Sequence, residues 1–111
     1  MPSLVNTEPS VGEIWVADFG FTAKQRPILI LADLQSEDAR ALIVVVPLTS
    51  QIRGLRGDVD IGKPRWLQKH SDVNVQGIAS IDRSVLHRRL GRLAPEQLRS
   101  VHAAIRDLLV L

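Results

Sequence analysis

The strongest constraint on this chain is one unbroken apolar run, the six residues from Ala41 to Val46 (ALIVVV), flanked by polar segments. It is far too short to cross a membrane. Apolar at every position and branched from Leu42 on, it reads as a strand buried on both faces, hence a central one. Two further strands precede it, Gly12 to Phe19 (GEIWVADF) and Pro27 to Ala32 (PILILA). The connections at 20–25 (GFTAKQ) and 33–38 (DLQSED) are short and polar, which favours antiparallel pairing of neighbours.

Beyond the central run the pattern loosens. Residues 51–72 hold three glycines and a proline, with a short strand at Asp58 to Ile61 and Trp66 with Leu67 as an apolar anchor. Alternation returns from Val73 to Ile81. It predicts one strand with Val73, Val75, Gly77, Ala79 and Ile81 on one face and Asn74, Gln76, Ile78, Ser80 and Asp82 on the other. A helical turn near Arg83 to Leu86 and a strand around Arg88 to Arg92 follow. Pro95 suits the first position of a terminal helix and Glu96 its positive end. Leu98, Val101, Ile105, Leu108 and Leu109 then form one apolar stripe. The expected architecture is mainly β: a small, strongly bent β-barrel with a C-terminal α-helix. It forms a single domain over residues 12–111, behind a flexible leader at 1–11.

Composition removes several chemistries. With 111 residues, 45% apolar and 23% charged, the chain is one ordinary folded domain. It has no cysteine, which excludes disulfides, thiolate nucleophiles and cysteine zinc sites. Its three histidines show no recognisable ligand spacing, so no metal or cofactor is expected. The N-terminus lacks a basic, apolar targeting segment, which makes a cytoplasmic protein the expectation. The net charge of +2 hides an asymmetry. Residues 1–52 carry Lys24, Arg26 and Arg40 against six acids, whereas residues 53–111 carry eleven basic residues against six acids. An anionic ligand on one side of the fold and a merely solvated surface both fit that bias.

Three local features could carry chemistry. Pro27 holds Arg26 extended, so a guanidinium stands at a rigid strand entrance. At Pro47-Leu48-Thr49-Ser50-Gln51 two hydroxyls follow the central strand where it breaks, either aimed at a ligand or capping nearby amides. Asn74 and Gln76 lie two apart on one strand face, where amides could read bases or simply meet solvent. His70, His87 and His102 read as surface or interface residues. Arg83, His87, Arg88, Arg89 and Arg92 could form a phosphate patch or a solvated face.

Taken in order, these segments resemble the MazF/PemK family of toxin ribonucleases. The carriers are G-E-I-W-V-A-D-F, then Q-R-P before an apolar strand, V-V-V-P-L-T-S-Q, V-N-V-Q-G-I-A-S-I-D, and R-R-L-G-R-L-A-P-E-Q-L before the last helix. The similarity runs from Gly12 nearly to the C-terminus. It implies an SH3-like bent β-barrel of the PemK/CcdB type and a homodimer. It implies the toxin of a type II toxin-antitoxin system, a sequence-specific endoribonuclease that cleaves single-stranded RNA, usually mRNA, without metal. The products would carry 2′,3′-cyclic phosphate and 5′-hydroxyl ends, inhibiting translation and growth. A cognate antitoxin with a disordered tail would fold across the toxin; no membrane partner is implied.

By that resemblance the catalytic residues are Arg26, Thr49 and Ser50. RNA-binding residues are Lys24, Gln25, Gln51, Arg53, Arg56, Asn74 and Gln76. Some members carry an aspartate and, two residues before it, an arginine where this chain has Gln76 and Asn74; a branch with D-V-Q-G resembles its N-V-Q-G. The loop before Arg26 is also shorter than in many members. Arg26 would stabilise charge on phosphorus and donate a proton, with hydroxyl donors beside it. Two rivals remain: a non-nuclease barrel like the gyrase-poisoning CcdB toxins, and an inactive RNA- or protein-binding module. Four aromatic residues offer little stacking, so backbone electrostatics should dominate RNA binding.

Overall fold

Eight regular elements build the fold in a computed structural model that describes residues 8–18, 25–33 and 42–111. The strands are β1 (Glu13–Ala17), β2 (Arg26–Ile30), β3 (Leu42–Thr49), β4 (Asp58–Gly62), β5 (Ser71–Asn74), β6 (Ala79–Asp82) and β7 (Leu86–Arg92), and one helix follows, α1 (Pro95–Leu109). All strand pairings are antiparallel. The sheet runs β4-β5-β3-β2-β1-β7, with β6 also beside β3. This is the expected mainly-β fold with a terminal helix; among the described residues the sheet is bent and not closed into a barrel. Of the expected leader at 1–11, residues 1–7 lie outside the described residues. Val11 donates its N–H to Asp33 at 2.8 Å, and Glu8 pairs with Arg83.

The apolar run does become the central strand. β3 is longer than the run, because Pro47, Leu48 and Thr49 continue it. Its two faces feed two cores. Val46 and Leu48 join Ile14, Leu29, Val73 and Val101 in the larger one, against which Leu98, Ile105 and Leu108 of α1 pack. Ile43 and Val45 join Ala17, Ile28 and Ile30 on the opposite face. Leu109, at the end of the apolar stripe, remains 48% exposed in the last helical turn.

The stretch from Val73 to Ile81 is not one strand. β3 pairs β5 with Leu48 opposite Val73, and pairs β6 with Val45 opposite Ala79. Six residues on one chain are therefore matched by three on the other. The excess is taken up by a short 3₁₀ turn, Val75–Gly77. An odd excess reverses the facing of every later side chain. Val73 accordingly lies in the helix-side core while Ile81 packs against the other one. Pro47, which has no N–H to give, falls where β3 changes partner from β6 to β5. A Cβ on Gly77 would stand 2.6 Å from the Pro47 ring. Gly77→Ala should therefore lower stability by about 1–3 kcal/mol, read from urea or thermal unfolding.

β7 is clamped to β1 by one acid. The nearly buried Glu13 carboxylate accepts the Trp15 indole N–H at 3.0 Å and the Ser10 amide at 2.9 Å, and pairs with Arg89 at 2.9 Å and Arg92 at 3.4 Å. Burial pushes this carboxyl up, but the Trp15, Ser10 and Arg89 hydrogen bonds together carry it below its ordinary 4.5. A lowered carboxyl adds stability above its ordinary value and loses it as pH falls through the lowered one. Glu13→Gln is thus expected to flatten the acid limb of a stability-versus-pH curve below about pH 5.

Candidate functional site

Strand register assembles the site. In the β2–β3 pair Ile28 faces Pro47 and Leu29 faces Val46. Carried two residues further, that register sets Arg26 across from Thr49. Thr49 in turn faces Asp72 of β5, and Asp72 faces Asp60 of β4. Directly opposed antiparallel residues share a face. Arg26, Thr49, Asp72 and Asp60 therefore form one row across the sheet, on the face away from α1. Asp58 and Asn74, also opposed, form the next row.

Thr49 is the last residue of β3, not part of a loop after it. Its Oγ1 accepts the Gln51 amide N–H at 3.1 Å. The turn-capping reading of this hydroxyl is therefore realised, and it leaves the O–H proton free to be donated outward. Beside it opens a shallow cavity of about 70 Å³ lined by Thr49, Gln51, Arg53, Leu55, Asp58 and Asn74. Gln51 accepts from Arg53 at 2.6 Å, which holds that guanidinium at the cavity. Asp58 Oδ1 and Asn74 Oδ1 are buried there without hydrogen-bond partners. Arg26 is exposed at the start of β2.

Three of the expected RNA-contacting residues, Gln25, Arg56 and Gln76, do not line this cavity. Lys24 lies outside the described residues. Gln25 donates to Asp18 at 3.3 Å. Arg56 is turned to the helix end, where it donates to the Asp107 carbonyl at 3.0 Å. Gln76 sits in the 3₁₀ turn and donates to the Arg56 carbonyl at 2.7 Å. Asn74 and Gln76 thus do not share a strand face, because the turn separates them. Ser50 follows β3 as an exposed bend. In the β7 arginine cluster, Arg83, Arg89 and Arg92 are held by Glu8 and Glu13.

The acids are what the sequence reading missed. Asp58 and Asp60 alternate along β4, and Asp72 and Asn74 along β5, which is a period-2 signal, but only pairing with β3 brings them to Thr49. Asp60 accepts the Gly62 amide and the His70 ring, each at 2.7 Å, and these hold its carboxyl below the usual range. For Asp72 the direction reverses: burial, then the charges of Asp58 and Asp60, push its carboxyl up. A raised carboxyl penalises the fold wherever it is ionised there but would ionise more easily unfolded. Asp72→Asn is accordingly expected to raise the melting temperature at pH 7 in EDTA, with the gain shrinking toward pH 4.

Fold and row together describe a small antiparallel domain with an arginine and a hydroxyl facing each other at an open sheet end. Residues 10–109 match the PemK-like, MazF-like toxins of type II toxin-antitoxin systems, and the chain belongs to that family. It is 30% identical over 100 residues to a probable endoribonuclease MazF5 of Mycobacterium tuberculosis, covering 87% of this chain and 89% of that one. The solved Mycobacterium tuberculosis toxin MazF-mt6 superposes with a TM-score of 0.77 at 27% identity, over 89% of this chain and 97% of the other. A mycobacterial endoribonuclease in complex with its cognate antitoxin gives 0.77 at 25% identity, over 93% and 96%. No described helix is long and apolar enough to cross a membrane.

Proposed function

We propose that this chain is the toxin of a type II toxin-antitoxin pair, a metal-independent endoribonuclease that cuts single-stranded RNA at short sequence motifs. The observation that carries the reading is the β2–β3 register, with Ile28 opposite Pro47, whose extension brings Arg26 toward Thr49, in a chain of this family. Relatives named as probable endoribonucleases support it.

In-line attack by a 2′-hydroxyl builds negative charge on the non-bridging phosphoryl oxygens and then on the leaving 5′-oxygen. Arg26 supplies a planar fork of fixed donors to the first. As the 2′-oxygen–phosphorus bond forms and the phosphorus–5′-oxygen bond breaks, the 2′-hydroxyl proton passes to solvent water, while Arg26 gives a proton to the 5′-oxygen and regains one from water, leaving a 2′,3′-cyclic phosphate and a 5′-hydroxyl. Thr49 donates its hydroxyl proton to the phosphoryl group, its lone pair being engaged by Gln51. Ser50 adds a second hydroxyl at the exposed bend. Gln51, Arg53 and Asn74 line the neighbouring cavity, where they would meet the flanking nucleotides. Lys24, Gln25, Arg56 and Gln76 are assigned to the rim of the RNA path. Exposed apolar residues, among them Ile52, Leu55 and Val110, suit a second copy and the folding tail of an antitoxin. The solved relative in complex with its cognate antitoxin supports the latter partner. We assign residues 12–111 to this single toxin domain, which acts in the cytoplasm.

Cleavage of a long RNA in EDTA should proceed with the wild type, and fall by roughly 10²-fold or more with Arg26→Ala and with Thr49→Ala. Equal rates for all three proteins would remove the assignment; gyrase trapping with intact RNA would favour the CcdB-like rival. Binding of a non-cleavable oligonucleotide should weaken steeply between about 50 and 200 mM salt, because arginine contacts release counterions. A flat salt response would speak for base stacking instead.

A further inference from the structure

Asp60, His70 and Asp72 each offer one ligand atom, a nitrogen and two oxygens all within 4.8 Å of one another. They come from three different places: mid-β4, the end of the 63–70 loop, and β5. Zinc bonds of about 2.0–2.2 Å at tetrahedral angles separate ligand atoms by about 3.4 Å. That value lies inside the present span, whose short side is the 2.7 Å from His70 Nε2 to Asp60 Oδ1. Small side-chain rotations would open that contact.

A second observation points the same way. Asp72 is only 4% exposed as a residue, and its backbone is paired on both sides, yet no side-chain hydrogen bond or ion pair reaches its carboxylate from the described residues. A buried carboxylate is normally paired or bound to a metal. The groups facing Asp72 compound the problem. Asp60 opposes it and Asp58 lies one row along β4, with the His70 ring held against Asp60. Asp60 has the Gly62 amide and the His70 ring, but among the described residues no donor reaches the Asp72 carboxylate, which one divalent cation would neutralise.

We propose that Asp60, His70 and Asp72 bind one zinc ion that clips the 63–70 loop onto the β4–β5 hairpin. A mixed imidazole and carboxylate set suits zinc better than magnesium or calcium. Asp60 Oδ1 already accepts the Gly62 amide at 2.7 Å, which orients it as outer contacts orient metal ligands. Three protein ligands leave the fourth position to water. The ion neutralises the acidic end of the row that begins at Arg26 and Thr49, so RNA phosphates would meet less negative charge there. It takes no part in the cleavage step, whose assay runs in EDTA, so failure of either reading leaves the other testable.

The test is calorimetric titration of the EDTA-stripped, dialysed full chain with zinc chloride. The wild type should bind one ion per chain with a dissociation constant on the order of micromolar, and its melting temperature should rise with added zinc. His70→Gln, at an exposed position, and the near-isosteric Asp72→Asn should each weaken binding by about tenfold or more with unchanged circular dichroism. His87→Gln should bind as the wild type does. Absence of saturable binding below about 1 mM, or equal affinity in wild type, His70→Gln and Asp72→Asn, would overturn the proposal. So would loss of binding in His87→Gln as large as in His70→Gln.

Discussion

The pairing of β3 along both edges is the interaction on which the rest of the structure depends. One edge holds β2 along its middle, from Val45 to Pro47. The other is shared by β6 and then β5, with three residues ejected between them as a 3₁₀ turn. That ejection keeps two apolar faces supplied on the central strand. It also ends the second core and lets a polar row begin at Thr49. Gly77 permits the turn by lying against Pro47 without a Cβ, and Pro47 sits where the ladder is interrupted. A strand that kept perfect register would have put Asn74 and Gln76 side by side, and Val73 and Ile81 on one face.

Charge follows the same logic. The basic second half of the chain reads as a phosphate surface, but much of it is spent on the fold. Arg89 and Arg92 hold β7 to Glu13, Arg83 holds Glu8, and Arg56 holds the end of α1. What remains at the candidate site is Arg26, from the acidic half, and Arg53, steadied by Gln51. Counting charges along the sequence says nothing of these pairings, which tie Arg89 and Arg92 to a buried carboxylate and Arg56 and Arg83 to exposed ones.

Much of the fold was legible. The apolar run, the period-2 strands and the Pro95 helix start are local signals, and apart from the Val73–Ile81 stretch, which formed two strands around a turn, each element formed within a few residues of its expected place. As candidates, Arg26 and Thr49 also came from local signals, one from the proline after it, the other from the break in the apolar run. Asp72 was not. Its sequence neighbours give no reason to single it out; its importance comes from standing opposite Thr49 on one side and Asp60 on the other. His70 is similar, a loop residue until the hairpin folds its ring back onto Asp60.

The sequence by itself determined that the chain is one antiparallel β domain with a helix. It also determined that any chemistry here proceeds without cysteine. Those conclusions need only composition and periodicity, which act over a few neighbouring residues. The tertiary structure alone decided which face each later side chain takes, which arginines are free, and that an acidic row adjoins Thr49. Such facts depend on register between strands far apart in the chain, and a slip of three residues reverses facing without leaving any mark in local alternation.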